Sequence, residues 1–157
     1  MKTIIVYASK HGCVEKCAQL LTAKIAGAVQ LCNLTGEKNV QIADFDTVII
    51  GGSIHAGRIQ KEIAVFCERN KQQLLAKKLG LFLCCANLKQ YEKHLKEAFP
   101  EELIQHAATV KHLGYAFYFD KMNFIERTVI RKLTGTDKTT EVIEQENIQQ
   151  FVDALFA

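Results

Sequence analysis

One stretch constrains this chain more than any other: an apolar run that breaks at a polar, glycine-bearing turn and resumes as a helix. Lys2 to Ala18 reads KTIIVYASKHGCVEKCA. Thr3 to Ala8 is rich in the β-branched and aromatic residues that suit a buried strand. Ser9-Lys10-His11-Gly12-Cys13 is a short turn, after which Val14, Cys17, Ala18, Leu21 and Ile25 recur on one helical face. Strand, turn and helix in this order aim backbone N–H groups and the positive end of a helix at one spot, which suits an anion such as a phosphate. In an open α/β sheet the first βα turn is where such a site lies.

The alternation continues. Val29 to Leu34 predicts a second strand, followed by a polar loop with Gly36 and Asn39. Asp46 to Gly52 (DTVIIGG) is a continuous apolar run, the pattern of a strand buried on both faces, and Ser53 to Arg58 is a second turn. Ile63, Phe66, Cys67 and Leu74 predict a helix over 60–75. Lys78 to Cys85 predicts a fourth strand and Ala86-Asn87-Leu88 a third turn. Tyr91 to Phe99 is helical and stops at Pro100, with a further turn over 101–106. Thr109 to Ala116 is a fifth strand. Phe119 to Leu133 predicts a helix with Met122, Ile125, Val129, Ile130 and Leu133 inward, ended by Gly135. The final helix, 146–156, carries Ile148, Phe151, Val152 and Leu155 on one face. The reading is a doubly wound α/β fold, with five parallel strands in the order 2-1-3-4-5 and helices on both faces.

With 157 residues, 48% of them hydrophobic, and one proline, the chain is expected to form a single domain over 1–157. No signal-like pattern precedes the first strand, and no apolar run approaches the roughly 20 residues of a membrane span, so a soluble, cytoplasmic protein is expected. Cysteines 13, 17, 32, 67, 84 and 85 fall mostly in apolar patterns and read as buried free thiols. Cys13 and Cys17 stand one helical turn apart, but a metal site needs more ligands, and none is expected. A net charge of +3 does not indicate a nucleic-acid partner.

In the order 2-1-3-4-5 the turns after strands one, three and four are neighbours and line one crevice. The first turn has one glycine and one clear hydroxyl, which favours a mononucleotide over a dinucleotide or nucleoside triphosphate. Here the sequence resembles a known family. YASKHGCVEKCA looks like the phosphate loop of flavodoxins, usually S/T-x-T-G-x-T. GGSIHAG, CANL after strand four and GYAFYFDKMNFIERTVIRKLTG extend the resemblance, over nearly the whole chain, to the flavodoxin-type menaquinone-dependent protoporphyrinogen dehydrogenases.

The resemblance implies bound FMN. Ser9, Lys10, His11, Gly12, Cys13 and Val14 would wrap its phosphate; Ser53, Ile54, His55, Ala56 and Gly57, with Ala86, Asn87 and Leu88, would border the isoalloxazine. His11 and Val14 stand where flavodoxins usually have threonines. Two hydroxyl donors, each worth on the order of 1 kcal/mol, are therefore missing, and backbone amides with Ser9 must supply most of the binding. A protonated His11 or Lys10 would offset part of the loss. The segment between Leu88 and Gly114 is shorter than in the porphyrinogen-oxidising relatives and lacks their basic, proline-containing insertion.

Tyr115, Phe117, Tyr118, Phe119 and Phe124 place five aromatic residues in ten positions, and Lys111 to Lys138 holds six Lys/Arg against three Asp/Glu. Two readings stand. The segment suits a planar anionic substrate such as a porphyrinogen, or an anionic membrane surface carrying a quinone and touched peripherally. It equally suits aromatic core residues beneath a solvated helix face. Flavodoxins that carry single electrons are typically very acidic, and this chain is not.

The remaining candidates have plain alternatives. His55 would tune the flavin or relay protons, or sit idle in a surface turn. Arg58 would meet a substrate carboxylate or cap a helix. Glu15 reads as a first-turn helix residue rather than an acid catalyst, and His94, His106 and His112 receive no role. Gly51 and Gly52 are expected to let the backbone pass close to the cofactor. Cys13 would be oxidation-sensitive if the helix N-terminus lowers its pKa. The function that the resemblance implies is an FMN oxidoreductase, with protoporphyrinogen IX as the candidate substrate and a quinone as acceptor. The alternatives are a flavodoxin-type carrier serving a redox-protein partner, and a flavodoxin-like module with weakened or lost FMN binding.

Overall fold

The computed structural model describes residues 1–9 and 12–157. Its strands are β1 (Lys2–Tyr7), β2 (Ala28–Asn33), β3 (Thr47–His55), β4 (Arg58–Ile59), β5 (Lys78–Cys84), β6 (Thr109–Phe117) and β7 (Thr140–Ile143). Its helices are α1 (Cys13–Lys24), α2 (Lys61–Leu74), α3 (Tyr91–Ala98), α4 (Glu101–His106), α5 (Phe124–Thr134) and α6 (Gln145–Leu155). The sheet order is β2-β1-β3-β5-β6-β7, with β4 paired to β3 alone. The pairs β1–β2, β1–β3, β3–β5 and β5–β6 are parallel. That is the expected five-strand parallel order.

Alternate residues of the central strands feed two cores, as a period of two requires. On one face Ile4, Val6, Val48, Ile50, Leu79, Leu81 and Leu83 meet Ile63, Phe66, Cys67 and Leu74 of α2, Leu95 of α3 and Leu103 of α4. On the other face Ile5, Tyr7, Ile49, Phe82 and Leu113 meet α1 and α6. There Phe151 packs edge-on against Phe82, ring centroids 6.3 Å apart.

The structure adds two antiparallel pieces to the expected sheet. Ser53–His55 does not form a loop: it continues β3 and turns back as β4, with His55 opposite Arg58. Ala56 (φ 50°) and Gly57 (φ 80°) make the turn, the paired positive φ values of the tight hairpin that matches strand twist. At the other edge β7 pairs antiparallel with Gly114–Phe117 of β6.

The segment from Tyr118 to Thr139 also departs from expectation. A 3₁₀ turn covers Phe119–Lys121, and α5 begins only at Phe124. Asn123 sets that start: its side chain accepts from the Glu126 N–H at 2.8 Å, and the Glu126 side chain accepts from the Asn123 N–H at 3.5 Å, a capping box. Met122 is buried as expected, but it precedes the helix, and no residue of α5 is buried. Ile125, Val129 and Leu133, expected inward, are exposed.

Candidate functional site

The topological switch point lies between β1 and β3, since the chain leaves β1 towards β2 on one side and returns to β3 on the other. The strand register sets Tyr7 beside Gly51 and Ser53 beside Cys84, so the segments leaving β1, β3 and β5 converge at one end of the sheet. The first is the phosphate-loop candidate. Ser9 Oγ accepts from the Gly12 N–H at 3.0 Å, and Ser9 N–H reaches Asn33 Oδ1 at 3.4 Å. Gly12 adopts φ 95°, a left-handed conformation that L side chains rarely take, and it is the N-cap of α1 with no side-chain cap. The first amides of α1 therefore face the turn uncapped, the donor set an oxyanion requires.

Lys10 and His11 lie outside the described residues. Cys13 and Val14 turn their side chains into the core, leaving them only backbone N–H groups to offer a ligand. Ser53 and Ile54 are half-buried, and His55, Ala56, Gly57, Ala86, Asn87 and Leu88 are exposed on the two neighbouring segments.

Gln60 joins the first two segments. Its amide donates to the Ala8 carbonyl (3.0 Å) and Ser53 Oγ (2.8 Å), and its oxygen accepts from the Ser53 N–H (2.9 Å). Ser53 Oγ also lies 2.8 Å from His55 Nε2. The third segment is held by His112, which is buried and donates from Nε2 to the Cys85 carbonyl at 2.7 Å. Because a carbonyl only accepts, that bond requires the Nε2–H form or imidazolium. Tyr91 stacks edge-on against the His112 ring at 5.7 Å.

A residue far away in sequence completes the first segment. The Lys121 ammonium sits 3.4 Å from where a side chain on Gly12 would begin, and 5.0 Å from the centroid of the Tyr118 ring. A cation thus stands at the uncapped helix N-terminus, where a phosphate would be met. Donor amides, a serine and a lysine fit the phosphate of FMN. Lys16 and Tyr118 both bond to Glu141, tying α1 to β7 and to the chain after β6. Its bond to Lys16 first, and that to Tyr118 second, hold the Glu141 carboxyl below the usual range. Burial, with the bond to Glu15, pushes the Tyr7 hydroxyl up to about 12; Tyr7 donates to Glu15 at 3.0 Å, a structural use of that carboxylate.

Two expectations need correction. Gly51 and Gly52 do not clear a path for a cofactor: a side chain on Gly51 would begin 1.9 Å from the Phe82 ring, and one on Gly52 would begin 2.8 Å from Gln60 Oε1 and from Ile59. They make room for the core and for the Gln60 bridge. Nor are Cys13 and Cys17 a pair. Cys84 of β5 brings a third sulfur, all three lie within 4.8 Å of one another, and Cys17 and Cys84 are 3.9 Å apart. Hydrogen bonding from the thiols of Cys17 and Cys84 lowers the Cys13 pKa, while those of Cys17 and Cys84 rise. Among the described residues no fourth His, Cys, Asp or Glu joins them, short of the four ligands of structural zinc. All six cysteines are free and buried.

Nothing local in the sequence marks Gln60, Lys121 and His112 as site residues: Gln60 falls at a helix start and Lys121 is one charge in a basic segment. Only the folded chain brings them to the turns.

The Flavodoxin domain family matches residues 4–142. The chain belongs to that family. Its architecture is the flavodoxin fold, an FMN-binding, electron-transfer fold. Oxidised flavodoxin 1 from Bacillus cereus superposes with TM-score 0.56 at 13% identity, over 99% of this chain and 97% of that one. A short-chain flavodoxin associated with a PDU bacterial microcompartment gives TM-score 0.59 at 15% identity, over 99% and 96%. The rubredoxin:oxygen oxidoreductase of Desulfovibrio gigas gives 0.51 at 18% identity, over 99% of this chain and 37% of that one. At these identities the likeness is one of fold. No curated protein matches the chain. Among the described residues, no helix is long and apolar enough to cross a membrane.

Proposed function

We propose that this flavodoxin-family protein is an FMN-dependent oxidoreductase that removes hydride equivalents from a reduced planar substrate, with protoporphyrinogen IX as the candidate, and delivers them to a quinone. The observation that carries this reading is the meeting of the phosphate loop with the aromatic, cationic segment after β6, through Lys121 at Gly12. Bound FMN would supply reversible hydride and electron chemistry. Ser9, the Cys13 and Val14 amides and Lys121 would hold its phosphate, with Gly12 supplying the left-handed turn and Lys10 and His11 as the further candidates of the loop. Ser53 to Gly57 and Ala86 to Leu88 would border the ring, held by Gln60 and His112.

The aromatic segment supports a planar partner. Tyr115 and Phe117 lie with ring centroids 6.0 Å apart and are half-buried, as is Tyr118, so these rings are not sealed in the core. Phe119 is the buried one.

The experiment is to load the protein with FMN and supply protoporphyrinogen IX with menadione. Appearance of porphyrin fluorescence at a rate above the protein-free control is the expected result; no oxidation with any quinone offered would remove the substrate assignment. Family membership favours a second reading, a carrier for a redox-protein partner. Stepwise reduction distinguishes the two: one two-electron step fits the dehydrogenase, two separated one-electron steps fit the carrier.

A further inference from the structure

α5 is a well-terminated helix with no core to serve. A capping box starts it, and Gly135 at φ 71° ends it. Yet Phe124 is 82% exposed, Ile125 72%, Val129 47% and Leu133 77%. Ile125, Val129 and Leu133 follow one another at four-residue spacing and form one stripe, with Phe124 at its start. Lys132 falls within the same arc and Arg131 on its edge, while Lys121 and Lys138 flank the helix. Among the described residues no carboxylate lies within ion-pair distance of these four cations. A helix of eleven residues is marginal in water without a covered face.

We propose that α5 is the surface by which this protein docks on an anionic lipid bilayer. The apolar stripe would enter the headgroup boundary, and Arg131 and Lys132 would keep their stems along it with their charges at lipid phosphates. A second copy is a poorer occupant. One helix face of four apolar side chains falls short of the roughly 1,200 Å² that a stable interface buries. The inference deepens the quinone reading above, because Lys121 links the start of this segment to the phosphate loop. Docking through α5 would bring that loop near a lipid-dissolved acceptor.

The test is co-sedimentation of the full chain with vesicles of phosphatidylglycerol and phosphatidylcholine, against vesicles of phosphatidylcholine alone. Wild type is expected to partition onto the anionic vesicles and to leave them at high salt. Ile125→Ser with Leu133→Ser, and separately Arg131→Gln with Lys132→Gln, are expected to weaken partitioning about tenfold or more. Far-UV circular dichroism and FMN retention should stay unchanged, since no side chain of α5 is buried.

No partitioning by wild type, or partitioning indifferent to the apolar pair, overturns the proposal. So does a wild-type dimer in solution that Ile125→Ser with Leu133→Ser dissociates, which gives the face to a second copy. Vesicle binding needs no flavin turnover: docking without quinone reduction would retire the acceptor and leave the surface, and the reverse result would do the opposite.

Discussion

α5 and α6 are both eleven residues long and amphipathic, yet α6 buries Ile148, Phe151, Val152 and Leu155 while α5 buries nothing. The difference is position. α6 lies across β5 and β6, where Phe151 meets Phe82. α5 follows the 3₁₀ turn after β6, and Asn123 caps it where its apolar stripe has no sheet to cover. Helical periodicity identifies the face that needs a cover; only topology says whether the fold supplies one.

The comparison breaks first at Phe151. Phe151→Ala should cost about 3–5 kcal/mol in urea unfolding, because it empties a buried ring site, whereas Leu133→Ser in α5 should stay within about 0.5 kcal/mol. Equal effects would mean that α5 is packed in solution. The next largest effect falls in the core beneath α6. Gly51→Ala should destabilise by about 1–3 kcal/mol, since its methyl would overlap Phe82, the partner of Phe151.

A third test asks whether the α5 segment serves the site. Lys121→Ala should weaken FMN binding about tenfold, on the order of 1.4 kcal/mol, and leave riboflavin, which has no phosphate, unaffected. Parallel titrations of the two flavins check it. The smallest effect concerns the tie between α1 and β7. The Glu141 carboxyl is held low in the folded chain, so its contribution is fully present above the unfolded carboxylate range and is lost as pH falls through the folded value. For a surface ion pair this amounts to less than about 1 kcal/mol. Glu141→Gln should therefore flatten the acid limb of the stability curve slightly and leave the neutral region nearly unchanged; an identical acid limb would refute the tie.

The parallel sheet was legible because strands buried on both faces read as unbroken apolar runs, as Thr47 to Ile50 and Leu79 to Leu83 do. β4 and β7 were not: two and four residues long, with no fully buried side chain, they lack a periodic signal. The first phosphate turn was legible because it is local, with Ser9, Gly12 and the start of α1 adjacent in sequence. What secures it is not local. Gln60, Lys121 and Cys84 arrive through crossovers, and a glycine that makes room for Phe82 looks, in sequence, the same as one that makes room for a ligand.

The most direct measurement is titration of the apo-protein with FMN, followed by flavin fluorescence, with riboflavin alongside. Saturable one-to-one quenching by FMN, tighter than by riboflavin, is the predicted result and would locate the affinity in the phosphate loop. No binding at millimolar FMN would contradict it and leave a flavodoxin fold without its cofactor.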